Sequence, residues 1–435
     1  MRAIGIDIGT TSICLGVYEE AAGQLREVRQ EKNHFLADTF RQDPDRIFTT
    51  VKRMLDDLLL SCNSGNNDDK PAVIGISSQM HGILYVDREG RAVSPYYTWK
   101  VESGNEAFGE ETYASYLSRA TGHELYTGYG CVTHFYLQQT GRIPAEAVRF
   151  ANIGDYAAMQ LCGIREPVMS PSIAASVGGF SLGERGFDLE SLEKAGVATS
   201  YYPQVRADGA ILGTYQGIPV TCAQGDNQAS FYAAIGEDEQ VLGINVGTGA
   251  QVSFFHRDLI PGTGAEIRPF TEKGFLYVLA SVNGGKVYER LAEFVKSTVF
   301  LVTGIEADVY EKLEEAGERV PATDLRIMPL LYGSRNGAAP GGSIEGLTPE
   351  NFTLGDVVRA YATGMALELF RMYEQLPAAL RQGKREIVAS GNGIRKNRLL
   401  RQEVERLFGL PVRVADSEEE AAAGAAMWAL SKIKD

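Results

Sequence analysis

Two short turns built from glycine and threonine are the first places in this sequence where chemistry could occur. The turns consist of Gly9, Thr10 and Thr11 and of Gly247, Thr248 and Gly249. Each offers backbone N–H groups and hydroxyls with little side-chain bulk, an array of donors that suits phosphate oxygens. Either turn alone is typical of an ordinary hairpin. Two copies together favour a pair of phosphate-binding turns.

Asp7 is the first acidic residue whose position calls for an explanation. It lies between Ile6 and Ile8, where a carboxylate is costly unless it is paired or metal-bound. Asn245 holds the matching place before the second turn, so the hairpin itself does not require the charge. Asp7 therefore suits a magnesium–phosphate site, because Mg²⁺ prefers oxygen ligands. A structural salt bridge is the alternative.

Composition excludes several classes of function. The 435 residues carry a formal net charge of −14, which argues against a nucleic-acid-binding surface. We find no apolar run long enough to span a membrane, so no membrane partner is expected. Five scattered cysteines without a CxxC motif argue against disulfides or zinc and favour a reducing cytoplasm. Neither a GxxxxGK[ST] loop nor a GxGxxG fingerprint is present.

The elements that position these turns occur twice along the chain. Each copy contains an alternating apolar hairpin, a helical pattern, a buried strand that ends in a polar or glycine loop, and a short strand that leads into a small-residue helix. The matching stretches are 4–18 and 242–256, 45–60 and 355–381, 71–82 and 385–396, and 218–230 and 410–422. Three sequence echoes in the same order, together with the helical pattern at 45–60 and 355–381, indicate a duplication, with a domain boundary near residue 222 and a ligand-binding cleft between the halves.

Taken together, these stretches resemble the FGGY carbohydrate kinases, which belong to the sugar kinase, Hsp70 and actin superfamily. The resemblance implies an α/β fold of two duplicated ribonuclease H-like domains around a central cleft, with sugar binding in 1–222 and nucleotide binding in 223–435. The motifs that carry it are GIDIGTT (5–11), GISSQMHG (75–82), NIGDYAAMQLCG (152–163), SPSIAAS (170–176), QGDNQAS (224–230), GINVGTG (243–249), ASGNGIRKN (389–397) and SEEEAAAGAAMWA (417–429).

The same resemblance implies roles for individual residues. Asp226 becomes the general base for phosphoryl transfer from ATP, and it joins Asp7 in holding Mg²⁺, directly or through water. An aspartate that caps a helix would look the same, and Ser417 in the second half is also a good cap. The implied sugar pocket consists of Gln79, Met80, His81, Trp99, Asp226 and Asn227. A core position is the alternative for His81 and for Trp99.

The loop at Gly391 and Asn392 leaves backbone room for a flat ring or ribose, and Asn392 and Asn397 could supply amide hydrogen bonds to it. A plain turn is the alternative. The resemblance has one clear departure, since Lys100, Val101 and Glu102 stand where this branch usually carries an Asp–Gly–Arg-like sequence.

The expected activity is ATP-dependent phosphorylation of a primary hydroxyl of a free ketose. Sedoheptulose is the first expected substrate, because the QMHG and GINVGTGAQVSF segments look closest to those of sedoheptulokinases, and xylulose is the second. Two alternatives remain open: an ATP-binding scaffold, and a degenerate kinase that binds sugar without turnover. The expected partners are the sugar and ATP, with a homodimer as an open alternative.

Overall fold

The chain forms two compact units. The structure is a computed structural model that describes residues 1–37, 39–62, 70–334, 340–415 and 419–434. The first unit holds the described residues of 1–236, 268–274 and 419–434, and the second holds those of 237–267 and 275–415. Ser417, the cap expected in the second half, lies outside the described residues. The two compact units are defined by packing, whereas the predicted boundary near residue 222 separates the two halves of the sequence repeat. The boundary therefore stays a prediction.

The strands in the described ranges are β1 (Arg2–Ile8), β2 (Ser12–Glu19), β3 (Gln24–Lys32), β4 (Arg41–Gln42), β5 (Ile74–Ser78), β6 (Leu84–Val86), β7 (Tyr96–Tyr97), β8 (Ala107–Phe108), β9 (Glu111–Thr112), β10 (Arg149–Ala151), β11 (Val168–Met169), β12 (Phe180–Ser181), β13 (Gly186–Phe187), β14 (Gln204–Val205), β15 (Ile211–Tyr215), β16 (Ile218–Thr221), β17 (Gln224–Gly225), β18 (Val241–Val246), β19 (Ala250–His256), β20 (Glu266–Phe270), β21 (Gly274–Ser281), β22 (Arg326–Met328), β23 (Ser343–Glu345), β24 (Glu386–Ser390) and β25 (Val412–Val414).

The α-helices in the same ranges are α1 (Pro44–Cys62), α2 (Tyr113–Thr121), α3 (Gly130–Gln139), α4 (Ile153–Cys162), α5 (Pro171–Val177), α6 (Leu189–Lys194), α7 (Asp226–Ala234), α8 (Gly285–Thr303), α9 (Tyr310–Glu318), α10 (Leu354–Glu374), α11 (Ala378–Arg381), α12 (Asn392–Arg395), α13 (Arg398–Phe408) and α14 (Glu420–Lys432). Short 3₁₀ turns occur at Ser103–Asn105 and Thr199–Tyr201.

The first unit is built on a sheet with the strand order β15-β16-β5-β1-β2-β3, and β17 also pairs with β5. β1 and β2 form the predicted antiparallel hairpin, while β5 runs parallel to β1. Successive side chains of a strand point to opposite faces. Ile4 and Ile6 belong to the same core cluster as the apolar face of α1, whereas Ala3 packs with α14. Asp7 shares the face of Ala3 and therefore points toward the side of the sheet that α14 covers.

The second unit repeats this arrangement. Its sheet runs in the order β21-β19-β18-β24-β25, with β18 and β19 antiparallel and β24 parallel to β18. The register repeats as well, because Asp7 lies opposite Ser77 and Asn245 lies opposite Ser390. β25 pairs in parallel with β24, as β16 pairs with β5. The predicted fold class, two duplicated ribonuclease H-like α/β domains, is confirmed.

Helix α14 packs against the first sheet at very short range. A Cβ atom added to Gly5 would overlap the carbonyl oxygen of Ala422, and one added to Gly75 would overlap that of Ala425. On another side of the helix, Gly424 leaves the same kind of space for the backbone of Ala229 in α7. Only residues without a side chain allow this approach, which explains why these positions are glycine.

The cysteines and the helix lengths bear on the pairing of thiols and on membrane spanning. All five cysteines are free thiols. None of the helices in the described ranges combines the length and the apolar character needed to cross a membrane.

The packing of α14 can be tested at one glycine. Gly75→Ala should lower the free energy of unfolding by about 1–3 kcal/mol, because an added methyl group overpacks the contact with Ala425. Urea unfolding followed by circular dichroism measures the change. Gly183→Ala is the matched control, since a Cβ atom there meets nothing within 4 Å. Equal stability of the two variants would contradict the close contact.

Candidate active site

Asp7 lies near the end of β1 among other acidic groups. Its Oδ1 accepts a hydrogen bond of 2.8 Å from the Ser77 hydroxyl, which also donates to the Ala421 carbonyl at 3.2 Å. Burial, followed by the charge of Asp226, raises the pKa of Asp7 to about 8. The hydrogen bond from Ser77 lowers this pKa, and the charge of Glu419 adds to the increase. No ion pair is found for Asp7 among the described residues, so the salt-bridge alternative lacks a partner there.

Asp226 is the first residue of α7, directly after β17. This short strand pairs in parallel with the end of β5, so that Gly225 lies opposite Ser78. The N-cap position belongs to Gly225, and the Asp226 carboxylate accepts the N–H of Asn227 at 2.8 Å. Burial raises the pKa of Asp226 to about 6, while the Asn227 N–H and the charge of Arg268 lower it. The predicted strand–helix corner is confirmed, and Asp226 sits one residue inside the helix rather than at its cap.

The carboxylates of Asp7 and Asp226 suit a magnesium ion that water and phosphate oxygens also bind. Mg²⁺ is usually held by one or two carboxylates, with water and phosphate oxygens completing its octahedron. The charge of Asp226 acts on Asp7, so a cation between them would relieve an unfavourable interaction. Among the described residues, no group of three or more His, Cys, Asp and Glu could form a cage for a metal. The donors thus suit a cation that is shared with phosphate oxygens.

The first glycine–threonine turn is held from one side by amide side chains. Asn33 Nδ2 donates to the Gly9 carbonyl and Gln42 Nε2 to the Thr10 carbonyl, each at 2.9 Å. A trans peptide places its N–H opposite its C=O. The N–H groups of Thr10 and Thr11 therefore point away from these amides. Such an orientation suits the oxygens of a phosphate group.

Three of the predicted residues share one hydrogen-bonded network. The Thr10 hydroxyl donates to Gln79 Oε1 at 3.2 Å and accepts from the indole N–H of Trp99 at 3.0 Å. Gln79 Nε2 in turn donates to Gln42 Oε1 at 2.8 Å. Trp99 is 45% exposed, which excludes the core alternative for this side chain. The first glycine–threonine turn is thus connected directly to residues of the expected sugar pocket.

His81 adopts a strained backbone conformation with φ of 72°, which is rare for a residue with a side chain. Its backbone N–H donates to the Ser176 hydroxyl at 3.0 Å, and its Nδ1 lies 2.7 Å from the Ser176 carbonyl. Because a carbonyl only accepts, Nδ1 carries the proton. The ring stacks on Tyr129 with centroids 4.6 Å apart. These contacts hold a half-buried imidazole in one orientation.

Met80 and Asn227 are the remaining residues of the expected sugar pocket, and each is held by a contact near Asp226. A Cβ atom added to Gly225 would stand 2.8 Å from Met80 Sδ, so the thioether packs against the residue that precedes Asp226. Asn227 Oδ1 accepts a hydrogen bond of 2.8 Å from Arg268. Gln228, the next residue of α7, is fully buried, and its amide has no hydrogen-bond partner among the described residues.

The second glycine–threonine turn lies at the start of α8. The Gly247 carbonyl accepts the N–H of Gly285 at 2.7 Å, and a Cβ atom on Gly249 would stand 2.8 Å from the Ser281 carbonyl. Thr248 is exposed. An exposed turn at the N-terminus of a 19-residue helix is a favourable place for an anion.

The loop after β24 has a different geometry from a plain turn. Gly391 has φ of 82°, and its chain leads directly into the short helix α12, which begins at the exposed Asn392. Asn397 is buried and caps α13 by accepting the N–H of Leu400 at 2.8 Å. Its amide nitrogen has no hydrogen-bond partner among the described residues. Binding of adenosine by Gly391, Asn392 and Asn397 stays a prediction.

Sequence reasoning missed several residues that shape this site. They are Ser77 and Glu419 beside Asp7, Gln42 behind the first turn, Tyr129 under His81, and Arg268 on Asn227. Ser77 could have been found, because it lies near the end of the buried strand β5 and occupies the place that Ser390 holds in the repeat. The others are distant in sequence from their partners and have no local signature.

Known proteins match this chain over nearly its whole length. The family model "FGGY family of carbohydrate kinases, N-terminal domain" matches residues 2–239, and the corresponding C-terminal model matches residues 261–433. Sedoheptulokinase of Mus musculus is 30% identical over 480 residues, covering 99% of this chain and 97% of that protein. Gluconokinase of Bacillus licheniformis is 26% identical, covering 98% and 86%. The crystal structure of xylulose kinase from Rhodospirillum rubrum is 18% identical and has the same fold, with a TM-score of 0.83 over 100% of this chain and 90% of that one.

The raised pKa of Asp7 leads to a prediction about stability. Unfolded, this carboxyl loses its proton near pH 3.8, whereas in the folded protein it keeps the proton up to about pH 8. The ionised form therefore destabilises the folded state increasingly as the pH rises between these values. Asp7→Asn should raise the melting temperature in metal-free buffer, and its advantage over the wild type should widen from pH 5 to pH 8.

Calorimetry in EDTA at several pH values measures this difference. The reciprocal variant Asn245→Asp is the control, because it introduces a carboxylate at the repeated position and should lower the melting temperature as the pH rises. A constant difference between Asp7→Asn and the wild type over this pH range would show that Asp7 is ionised in the folded state throughout.

Proposed function

This chain belongs to the FGGY family of carbohydrate kinases and is a sugar kinase, and we propose that it transfers the γ-phosphoryl group of ATP to a primary hydroxyl of a free ketose. The observation that carries the proposal is Asp226 at the start of α7. It is a half-buried carboxylate with a pKa of about 6, and the neighbouring Gly225 packs against Met80 of the expected sugar pocket. Sedoheptulose is the proposed substrate.

Asp226 acts as the general base in this proposal. Its carboxylate takes the proton of the sugar hydroxyl while the hydroxyl oxygen forms a bond to the γ-phosphorus and the bond from that phosphorus to the β-phosphate bridging oxygen breaks. A pKa of about 6 supports this role, because the group is mostly ionised at neutral pH yet more basic than an ordinary aspartate. Arg268 holds Asn227 and keeps the Asp226 pKa from rising further.

Nucleotide and metal binding are assigned to the turns and to the acidic residues. The N–H groups of Thr10 and Thr11 and the turn Gly247–Gly249 would hold phosphate oxygens, while Asp7 and Asp226 would hold Mg²⁺ directly or through water. Magnesium supplies neutralisation of the charge that develops on the transferred phosphoryl group. We further propose that 1–222 mainly binds sugar and that 223–435 mainly provides the base and the adenosine contacts.

The sugar is proposed to lie against Trp99, with hydrogen bonds from Gln79, His81 and Asn227. Exposure of the indole and the fixed orientation of the imidazole support this role. The unpartnered amide of Gln228 lies on the same helix as Asp226 and could take a sugar hydroxyl or an ordered water. A cytoplasmic location stays a prediction, based on the five free cysteines.

The substrate can be identified from initial rates. Release of ADP with ATP and Mg²⁺ should be strongest with sedoheptulose in a panel that also holds D-xylulose, D-ribulose, L-xylulose, D-fructose, gluconate and glycerol. Xylulose is the second candidate, since the two CHOH groups by which it is shorter than sedoheptulose change few contacts in the pocket. A dominant response to gluconate would contradict the assignment to ketoses. Silence across the panel with intact ATP binding would favour a kinase that has lost turnover, with Lys100–Glu102 as the first segment to restore.

The role of Asp226 can be tested separately. Asp226→Asn should retain nucleotide binding and lose turnover by about 10²–10⁴-fold, the usual contribution of a general base. Asp188→Asn is the control, because Asp188 caps the start of α6 and its carboxylate also accepts a backbone N–H, that of Ser191. Near-normal turnover of Asp226→Asn would remove this residue from the mechanism.

A further inference from the structure

The segment that departs from the expected family pattern lines a second cavity. Val101 and Glu102, which follow Trp99 and Lys100, form part of its wall in the first unit. The cavity has a volume of about 480 Å³, within the range of small-molecule sites. None of the residues assigned to the sugar pocket lines it. The cavity is therefore distinct from the site of phosphoryl transfer.

Two guanidinium groups line this cavity, and aromatic rings hold them in place. Arg41 lies over the ring of Tyr97 at 5.4 Å, and Arg142 lies over the ring of Tyr136 at 5.7 Å while donating to its hydroxyl at 3.2 Å. Both positive charges act on the hydroxyl of Tyr97, partly offsetting the increase in its pKa that burial causes. Stacking on an aromatic ring orients a guanidinium without neutralising its charge.

Neither guanidinium forms an ion pair with a carboxylate among the described residues. Arg119 provides the contrast in the same unit, because it also stacks over a ring, that of Tyr116, yet it is paired with Glu111. The positive charges of the two cavity arginines are thus not neutralised by a carboxylate of the described residues, although Arg142 uses one N–H on the Tyr136 hydroxyl. A phosphate group accepts the paired N–H groups of such side chains especially well.

The rest of the lining suits hydroxyl groups. Glu102 and Glu106 are exposed and can each accept hydrogen bonds from a polyol. Thr133 is buried in the wall, and the hydroxyl of Ser103 is buried without a hydrogen-bond partner in the described part of the chain. A buried hydroxyl without a partner is unusual in a folded protein unless a ligand or water satisfies it. Carboxylates would repel a bare anion, so the lining favours a ligand with hydroxyls as well as negative charge.

We propose that this cavity is a second ligand site, which binds a small phosphorylated sugar. The phosphate group would lie between Arg41 and Arg142, and the sugar hydroxyls would face Glu102, Glu106 and Ser103. Tyr97 and Val101, which line the cavity, lie two positions on either side of Trp99 in the sequence. Val101 and Glu102 thereby gain a role that the phosphoryl-transfer site does not account for.

Calorimetric titration of the full chain without nucleotide tests this site. D-Ribose 5-phosphate is the probe, with inorganic phosphate and D-ribose as partial ligands. The sugar phosphate should bind at one site at least tenfold more tightly than either part. Arg41→Gln/Arg142→Gln should weaken its binding at least tenfold, and Arg142→Gln alone should weaken it measurably. Arg119→Gln, the stacked and ion-paired control, should bind as the wild type does.

Asp226→Asn should also bind the probe normally, which separates this site from the reaction proposed above. Three results would overturn the proposal: no saturable binding by the wild type, unchanged binding by folded double and single arginine variants, or equally tight binding of inorganic phosphate. A probe whose binding is abolished by Asp226→Asn would instead occupy the phosphoryl-transfer site. Because no turnover is measured, a failure of the proposed activity leaves this test unaffected.

Discussion

The close approach of helix α14 to the first sheet is the constraint on which the first unit depends. Backbone atoms of Ala422 and Ala425 occupy the space that side chains at Gly5 and Gly75 would fill, and Ala229 of α7 lies as close to Gly424. One helix thereby fixes the distance between β1, which carries Asp7, and α7, which begins with Asp226. The acidic pair keeps its geometry because three positions have no side chain.

This geometry has an electrostatic cost. Asp7 and Asp226 lie where burial favours their neutral forms, the charge of Glu419 acts further on Asp7, and no ion pair among the described residues neutralises Asp7. In the second copy of the repeat, Asn245 occupies the position equivalent to Asp7 and donates a hydrogen bond to the Ser390 hydroxyl at 2.9 Å. The fold itself therefore does not require a charge at this position. The charge at Asp7 thus reduces stability and suits phosphate and metal chemistry, a combination common at functional sites.

Much of the fold could be predicted because its signals are local. The glycine–threonine turns interrupt two alternating apolar stretches, and QGDNQAS marks the strand–helix corner at Asp226. Contacts between distant residues could not be predicted. Arg268 reaches Asn227 across 41 positions, and Gln42 reaches the Thr10 carbonyl across 32. The helix cap formed by Asn397 could not be predicted either. An asparagine in a glycine-rich loop is as consistent with a ligand contact as with the start of a helix.

The return of α14 to the first unit also bears on how the chain matures during translation. While the ribosome is still adding the second unit, β1, β2 and β5 are already synthesised, but the helix that covers their glycine-lined face is not. Contacts of such long sequence separation form late and slow folding. An exposed apolar face during this interval invites association with other chains or a chaperone. Because α14 contacts both the first sheet and α7, a chain that stops before this helix would lack the packing that fixes Asp7 relative to Asp226.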